Sequence, residues 1–216
     1  MKNLWSLILA CLATWTTAIA QEIANPSFEM PALEAPLQVI TPGSPGFAEA
    51  MPKLQWSFGV QAGICLEGVA YAEGVMAADG HQVAFMQGNF EARDPALHPP
   101  SRIFGLDVTG LKPGEEYELS WKQTGRLTDP GSTAVSVTVQ APGETPLSLV
   151  AQEPVGAKGK WEKKSVWFVA TAPTMRLNLV HHILGADKSA SGNESTLFDD
   201  FKIRAGKSSG GKRSAK

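Results

Sequence analysis

The sequence predicts an all-β protein, a β-sandwich built from two antiparallel sheets. First, the 21 glycines and 15 prolines are spread along the 216 residues and separate short runs, as turns separate strands. Second, several of these runs alternate apolar and polar residues with a period of two, which a sheet with one buried and one solvated face requires. Third, a helical pattern is nearly absent, with at most a turn between Glu67 and Ala78.

The first segment, residues 1–20, is predicted to be a signal peptide. Lys2 supplies the positive charge, residues 4–13 form an apolar stretch too short to span a bilayer, and Ala18-Ile19-Ala20 gives a small-x-small cleavage pattern. Cleavage before Gln21 would release a secreted chain without a transmembrane segment. Ile8-Leu9-Ala10-Cys11 loosely resembles a lipoprotein cleavage box, but the apolar run before it is shorter than the ~7–15 residues of a usual signal.

The body is predicted to be one domain, residues 21–204, with its own core. Loss of the signal leaves Cys65 as the only cysteine, so the body has no internal disulfide. Cys65 lies in an apolar run, which favours burial over reactivity. Residues 31–52 carry five prolines and are expected to form a surface excursion with one short strand at residues 38–40.

Most of the predicted strands lie in the second half of the body. Four runs alternate cleanly and predict strands with one buried face: 102–108, 117–121, 135–139 and 175–179. The runs 82–87 and 166–169 are apolar on both faces. They are predicted to be central strands, or strands covered by a loop.

Two short acidic motifs stand at the ends of the body. Residues 25–29 and 196–203 each look like a strand with an acidic residue at a fixed place, and the two strands are expected to meet. In the closing run Leu197, Phe201 and Ile203 share the phase of Asp199. Asp200 is therefore expected on the opposite face.

Charge is distributed unevenly along the chain. All 21 acidic residues lie between residues 21 and 203, whereas the end from Arg204 onward has five basic residues and no acidic one. Residues 205–216 are predicted to be a disordered basic tail, serving either solubility or attachment to an anionic polymer or lipid. The acidic body argues against nucleic acid as the main partner.

Six motifs follow one another in a recognisable order. They are Asn25–Glu29, Trp56–Gly59 with Ala62–Ile64, Ala78–Gly88, Leu111–Trp121, Gly159–Trp161 and Leu197–Ile203. This order resembles the galactose-binding-domain-like jelly rolls of bacterial extracellular proteins, among them carbohydrate-binding modules that open with Asn-Gly-x-Phe-Glu. The resemblance covers nearly the whole body and implies a single jelly-roll β-sandwich.

The resemblance also implies a structural calcium ion. In such domains an N-terminal Glu and a C-terminal Asp supply part of a shell of about 6–8 oxygen ligands. Glu29 matches the first, and Asp199 or Asp200 matches the second. Pro26 stands where the family often has Gly, which removes an N–H but leaves the carbonyl ligands. The alternative is that Glu29 is a solvated strand end and the two aspartates protect an edge strand.

The function implied is binding of a poly- or oligosaccharide through one sheet face or through strand-end loops. Such binding needs an exposed aromatic platform and a few polar groups. Trp167 is the freest tryptophan, because Val166 and Phe168 can take the core face, although a loop could cover it. The other tryptophans of the body are expected to be structural: Trp56, Trp121 and Trp161.

The polar candidates for ligand contact follow two strands. Gln87 and Asn89 come after the 82–87 run, and Arg126 ends another strand. Arg126 could clamp a carboxylate with two hydrogen bonds, which would suit a uronate or a sulfated sugar. The alternative is a surface arginine paired with Asp129.

No catalytic pattern appears in the sequence, so the protein is predicted not to be an enzyme. Gly-x-Ser-x-Gly, His-Glu-x-x-His and phosphate-loop motifs are missing from it. His181 and His182 point to opposite faces of a strand, while His81 and His98 lie far away in sequence, so no zinc set is indicated. The alternatives are an extracellular structural or adhesion protein on the same scaffold and, less favoured, a small glycan hydrolase.

Overall fold

The computed structural model describes residues 22–34, 39–59, 61–87, 103–127, 132–156, 158–184 and 194–206. The predicted signal peptide, Asn89 and residues 207–216 lie outside them. Within the described ranges, no helix is both long and apolar enough to cross a membrane.

The described residues form eleven strands, one α-helix and one short 3₁₀ turn. In chain order these are β1 (Val39–Ile40), α1 (Phe47–Leu54), β2 (Ser57–Phe58), β3 (Ala62–Leu66), the 3₁₀ turn (Ala70–Ala72), β4 (Gln82–Gln87), β5 (Ile103–Val108), β6 (Glu116–Gly125), β7 (Ser132–Gln140), β8 (Leu147–Pro154), β9 (Glu162–Val169), β10 (Met175–Leu184) and β11 (Ser195–Ala205).

The strands form two sheets that face each other. One has the order β1-β3-β4-β11-β6-β9 and the other β2-β5-β10-β7-β8. The strand pairs within the described residues are antiparallel. The predicted all-β sandwich of two antiparallel sheets is therefore confirmed.

The main core lies between the sheets and is filled by the inward residues of the alternating strands. The buried residues that the alternation predicted include Leu106, Tyr117, Leu119, Trp121, Val137 and Leu177. An aromatic cluster closes one part of this core, with ring centroids 4.9 Å apart for Phe28 and Trp56 and 4.9 Å apart for Trp56 and Phe201. Trp56 and Trp121 are therefore structural, as expected.

A second, smaller core lies on the outer face of the six-stranded sheet. Residues 67–78 fold over Cys65, Val83, Phe85 and Leu197, which are all fully buried. Tyr71 stacks on Phe85 with a centroid distance of 4.3 Å. This cover explains why the 82–87 run is apolar on both faces, and it confirms the predicted burial of Cys65.

The expectation of a surface excursion over residues 31–52 is wrong in part, because α1 begins at Phe47. The spacing of Phe47, Ala50 and Leu54 turns an apolar side toward the core, where Ala50 and Leu54 are buried. Pro52 lies inside this helix. The prolines of the stretch had argued against a helix, but core contacts outweigh that local preference.

The opening motif is a turn, not the predicted strand. Asn25 and Phe28 have φ angles of 49° and 61°, and the Phe28 amide donates to the Asn25 carbonyl at 3.1 Å. The Asn25 side chain accepts from the Met30 amide at 3.0 Å. Side-chain capping of this kind competes with extended backbone and fixes the turn.

Two predictions about the strands near the C-terminus are wrong. The 166–169 run belongs to β9, an edge strand, and Trp167 and Val169 are about half exposed. In β11 a bulge between Asp199 and Lys202 shifts the phase, so Leu197 and Phe201 lie on opposite faces. β11 also runs to Ala205, one residue beyond the predicted end of the body.

Candidate functional site

Gln87 and Arg126 lie at the same end of the six-stranded sheet. Gln87 pairs with Ser195, and Gly125, which precedes Arg126, pairs with Thr196. Gln87 is half-buried, and only 6% of the Arg126 side chain is exposed. The interpretation of Arg126 as a surface residue is therefore wrong; its suggested partner Asp129 and the candidate Asn89 are outside the described residues.

Trp167 lies at the other end of the sheet. It pairs with Glu118, eight residues before Arg126 along β6. At about 3.3 Å per residue, roughly 26 Å separate the two positions. Among the described candidates, Trp167 thus belongs to a different surface from Gln87 and Arg126.

The surface around Trp167 is the uncovered part of the outer face of β9, β6 and β11, called here the β9 face. Glu118 stands between Trp167 and Arg204, and Ser120 stands between Ser165 and Lys202. The face comprises Lys163, Ser165, Trp167, Glu118, Ser120, Lys122, Asp200, Lys202 and Arg204.

Trp167 offers an open aromatic surface at the edge of this face. Its side chain is 51% exposed, and it is the only aromatic among the exposed large apolar side chains of the described residues. Phe168 is buried in the core and Val166 packs against it, as predicted. The indole lies against Gly206, where a Cβ would come within 3.3 Å of Trp167 Cζ3.

Basic side chains surround a depression of about 110 Å³ on the same face. Asp200 Oδ1 lies 2.5 Å from Lys202 Nζ, and Asp200 Oδ2 lies 3.2 Å from Lys122 Nζ. Burial opposes the ionisation of Asp200, but its hydrogen bonds and charge attraction to the two lysines outweigh burial and lower its pKa. Lys163 and Arg204 also line the depression, and within the described part of the chain neither has an ion pair.

The carboxylates predicted to bind calcium hold the turn between residues 78 and 82. Glu29 Oε1 accepts hydrogen bonds from the backbone amides of His81 and Gln82 at 2.9 and 2.8 Å. Asp199 Oδ2 accepts from the amides of Ala78 and Asp79 at 2.7 and 2.9 Å. The first and last motifs therefore meet, as predicted, through a turn that both carboxylates bind.

Asp79 is a further acidic residue of this region, beyond the three predicted from the sequence. Its carboxylate accepts a hydrogen bond from Ser27 Oγ at 2.6 Å. Burial raises the pKa of Asp199 to about 7, three backbone hydrogen bonds oppose this, and the charge of Asp79 adds to the rise. The Asp-Gly of the third motif was the signal that could have identified Asp79.

The fit of a metal ion can be judged from these contacts. Among the residues that the structure describes, no three His, Cys, Asp or Glu side chains converge into a group that could hold a metal. Glu29 and Asp199 bind backbone amides, and Asp200 binds lysines. In this arrangement the three predicted ligands do not fit one calcium shell, and the calcium ion stays a prediction.

The outer face of the five-stranded sheet carries a second depression, of about 460 Å³. Arg176 there lies 3.3 Å from Asp107 and also donates to Ser57. The lining residues that the structure describes include no aromatic side chain: Glu22, Ala24, Gln55, Asp107, Thr109 and Arg176. This depression is polar and has no platform comparable to Trp167.

No protein-family model matches the chain, and no curated protein matches it. Solved structures do. TmCBM61 in complex with β-1,4-galactotriose matches at 13% identity with a TM-score of 0.49, over 87% of this chain and 99% of that one. The CBM22-1 xylan-binding domain of Paenibacillus barcinonensis Xyn10C matches at 18% identity with a TM-score of 0.46, over 70% and 86%.

The C-terminal domain of EclA, a sugar-binding protein, matches at 23% identity with a TM-score of 0.39. The match covers 46% of this chain and 64% of that domain, which is less than two thirds of its length. The matching structures thus include carbohydrate-binding modules, as the sequence resemblance predicted. At these identities the similarity concerns the fold alone, so the function has to be inferred from the side chains.

Proposed function

We propose that this protein is a secreted, non-catalytic module that binds a carbohydrate chain on the β9 face. The observation that carries the proposal is the exposed Trp167 on an uncovered sheet surface, the β9 face, whose other residues are polar. The C–H groups on one face of a pyranose ring are apolar and slightly positive. They therefore pack favourably on the negative face of an indole.

Hydrogen-bonding groups lie at the distances a short saccharide needs. Ser165 is two residues from Trp167 on β9, and Glu118 on β6 pairs directly with Trp167. Successive side chains on one face are about 7 Å apart along a strand, and neighbouring strands are about 4.8 Å apart. Hydroxyl and carboxylate groups of the face can thus bind sugar hydroxyls beside a ring stacked on Trp167.

The test is calorimetric titration with oligosaccharides chosen from a glycan array. Trp167→Ala is expected to weaken binding about tenfold or more, since an aromatic stacking contact and its buried area together contribute over about 1.4 kcal/mol. Leu147→Ala is the matched control, because Leu147 is 55% exposed on β8 of the other sheet. Circular dichroism checks that both variants fold.

Two results would contradict the proposal: an array on which no glycan binds, or a Trp167→Ala variant that binds as tightly as the wild type. If Trp167→Ala changed the oligomeric state and no sugar bound, an adhesion role would replace it. The exposed edge of β9 would then pair with another chain.

A further inference from the structure

We propose that the carbohydrate bound on the β9 face is anionic, carrying carboxylate or sulfate groups that Lys163 and Arg204 bind. This inference rests on the proposed function, because it names the chemistry of the ligand for the same face.

The β9 face is a positive region on an acidic body. Lys122, Lys163, Lys202 and Arg204 line its depression together with one acid, Asp200. Asp200 binds Lys122 and Lys202, so it compensates their charge in part. Lys163 and Arg204 are exposed. They supply positive charge that a bound anion can neutralise.

These two cations flank the aromatic platform. Lys163 precedes Trp167 by four residues on β9, or about 13 Å, and its side chain is on the same face. Arg204 is two strands from Trp167, or roughly 10 Å, with Glu118 between them. A sugar stacked on Trp167 would place substituents of its neighbouring residues within reach of Lys163 and Arg204. Glu118 would bind hydroxyl groups rather than anionic ones.

The experiment measures binding of three probes to the full chain at two salt concentrations. The probes are a neutral β-1,4-galactan oligosaccharide, oligogalacturonate and a carrageenan oligosaccharide, which separate hydroxyl, carboxylate and sulfate chemistry. We expect at least one anionic probe to bind ten times more tightly than the neutral one. Its affinity should fall several-fold between about 50 and 200 mM salt, as screening predicts.

Variants that remove single positive charges show which side chains bind the anionic groups. Lys163→Gln and Arg204→Gln are each expected to weaken anion binding about fivefold more than they weaken any binding of the neutral galactan. Lys53→Gln, in α1 and outside the face, is the matched control.

The outcomes separate the two proposals. Trp167-dependent binding with equal affinity for neutral and anionic probes overturns the anionic ligand but keeps carbohydrate binding. Trp167-independent binding of all probes overturns the proposed function. Anion binding that is unchanged in both Lys163→Gln and Arg204→Gln overturns the role of the face. Binding to phosphatidylserine vesicles without binding to any saccharide assigns the charge to a lipid surface and overturns the inference.

Discussion

At the scale of single residues, the buried amide of Gln82 connects the N-terminal segment to β4. Its Nε2 donates to the carbonyls of Phe28 and Pro31, and its Oε1 accepts from the amide of Leu33. The side chain is only 2% exposed. One glutamine therefore satisfies three backbone groups that water reaches poorly, and this makes it more important for stability than its polar character suggests.

Replacing Gln82 by Met, which keeps the length of the side chain, is expected to lower the free energy of unfolding by about 3 kcal/mol. The reason is that each buried group left without a partner costs about 1–3 kcal/mol. Urea denaturation measures the change. Gln140→Met is the control, since Gln140 is on the outer face of β7 and only half-buried. A loss below about 1 kcal/mol would show that water or a local shift replaces the amide.

At the scale of elements, the 67–78 segment acts as a cover for one end of the six-stranded sheet. It is held by the stacking of Tyr71 on Phe85 and by a hydrogen bond from Trp161 Nε1 to the carbonyl of Met76 at 2.8 Å. Burial under this cover raises the pKa of the Cys65 thiol to about 12. The thiol therefore stays protonated in the folded state well above the usual range of cysteine.

Tyr71→Ala is expected to open the cover and to raise the rate at which iodoacetamide labels Cys65 at pH 8 by about tenfold or more, because only the exposed thiolate reacts. Mass spectrometry of the Cys65 peptide measures the rate under native conditions. Val69→Ala, in the same segment but 37% exposed, should label slowly like the wild type. Equal rates for the Tyr71 variant and the wild type would mean that the segment is held without the stacked rings.

The bulge of β11 is the second element with a local requirement. Asp200 has a φ of 53°, which costs a β-branched residue about 1–2 kcal/mol but which Asn adopts more easily. Asp200→Val is expected to lower the melting temperature by several degrees more than Asp200→Asn, although both lose the same ion pairs. Scanning calorimetry compares the two. Equal melting temperatures would assign the whole effect to the lost charge.

The alternating strands show what the sequence can predict at this scale. Period-two patterns located β5, β6, β7 and β10 because each has one face in the core. The same alternation predicted that Trp167 could point outward, since Val166 and Phe168 take the core side. The bulge at Asp200 left no such pattern, since it depends on backbone torsion. The composition of the β9 face could not be predicted from the sequence either. The placement of Arg204 two strands from Trp167 follows from the register of three strands that are far apart in the chain.

At the scale of the whole molecule, the two ends of the described chain close the sandwich together. The amide of Phe201 donates to the carbonyl of Pro26 at 3.0 Å, and the rings of Phe28 and Phe201 meet edge to face. Glu29 and Asp199 bind successive amides of the turn that precedes β4. These contacts join segments about 170 positions apart. The packing of both ends of the described chain therefore depends on the region formed by Glu29, Asp79 and Asp199.

This region makes the stability depend on pH in a definite direction. Because the pKa of Asp199 is about 7 in the folded chain, against 3.8 ordinarily, the unfolded chain loses this proton first as pH rises. The contribution of Asp199 is thus present below about pH 4 and is lost as pH rises toward 7. We expect the calcium-free protein to melt at a lower temperature at pH 7.5 than at pH 5.

Adding calcium at pH 7.5, where Asp199 is ionised in part, tests the predicted metal site. A cation that bound the ionised carboxylates of the folded state would add stability by mass action. If the protein has such a site, calcium at 100 times its Kd will raise the melting temperature at pH 7.5 by about 5–10 °C, and EDTA will reverse this. Asp199→Asn should melt lower throughout, since an amide nitrogen then faces backbone N–H groups. It should also lose both the pH dependence and the calcium effect.

Asp107→Asn is the control for this experiment, because Asp107 is exposed on the other sheet and should keep the wild-type response to calcium. Identical melting temperatures with calcium and with EDTA would rule out the structural calcium. In that case the hydrogen bonds from the 78–82 turn would be the whole means by which Glu29 and Asp199 join the two ends of the chain. Retention of the calcium effect in Asp199→Asn would instead place the ion elsewhere.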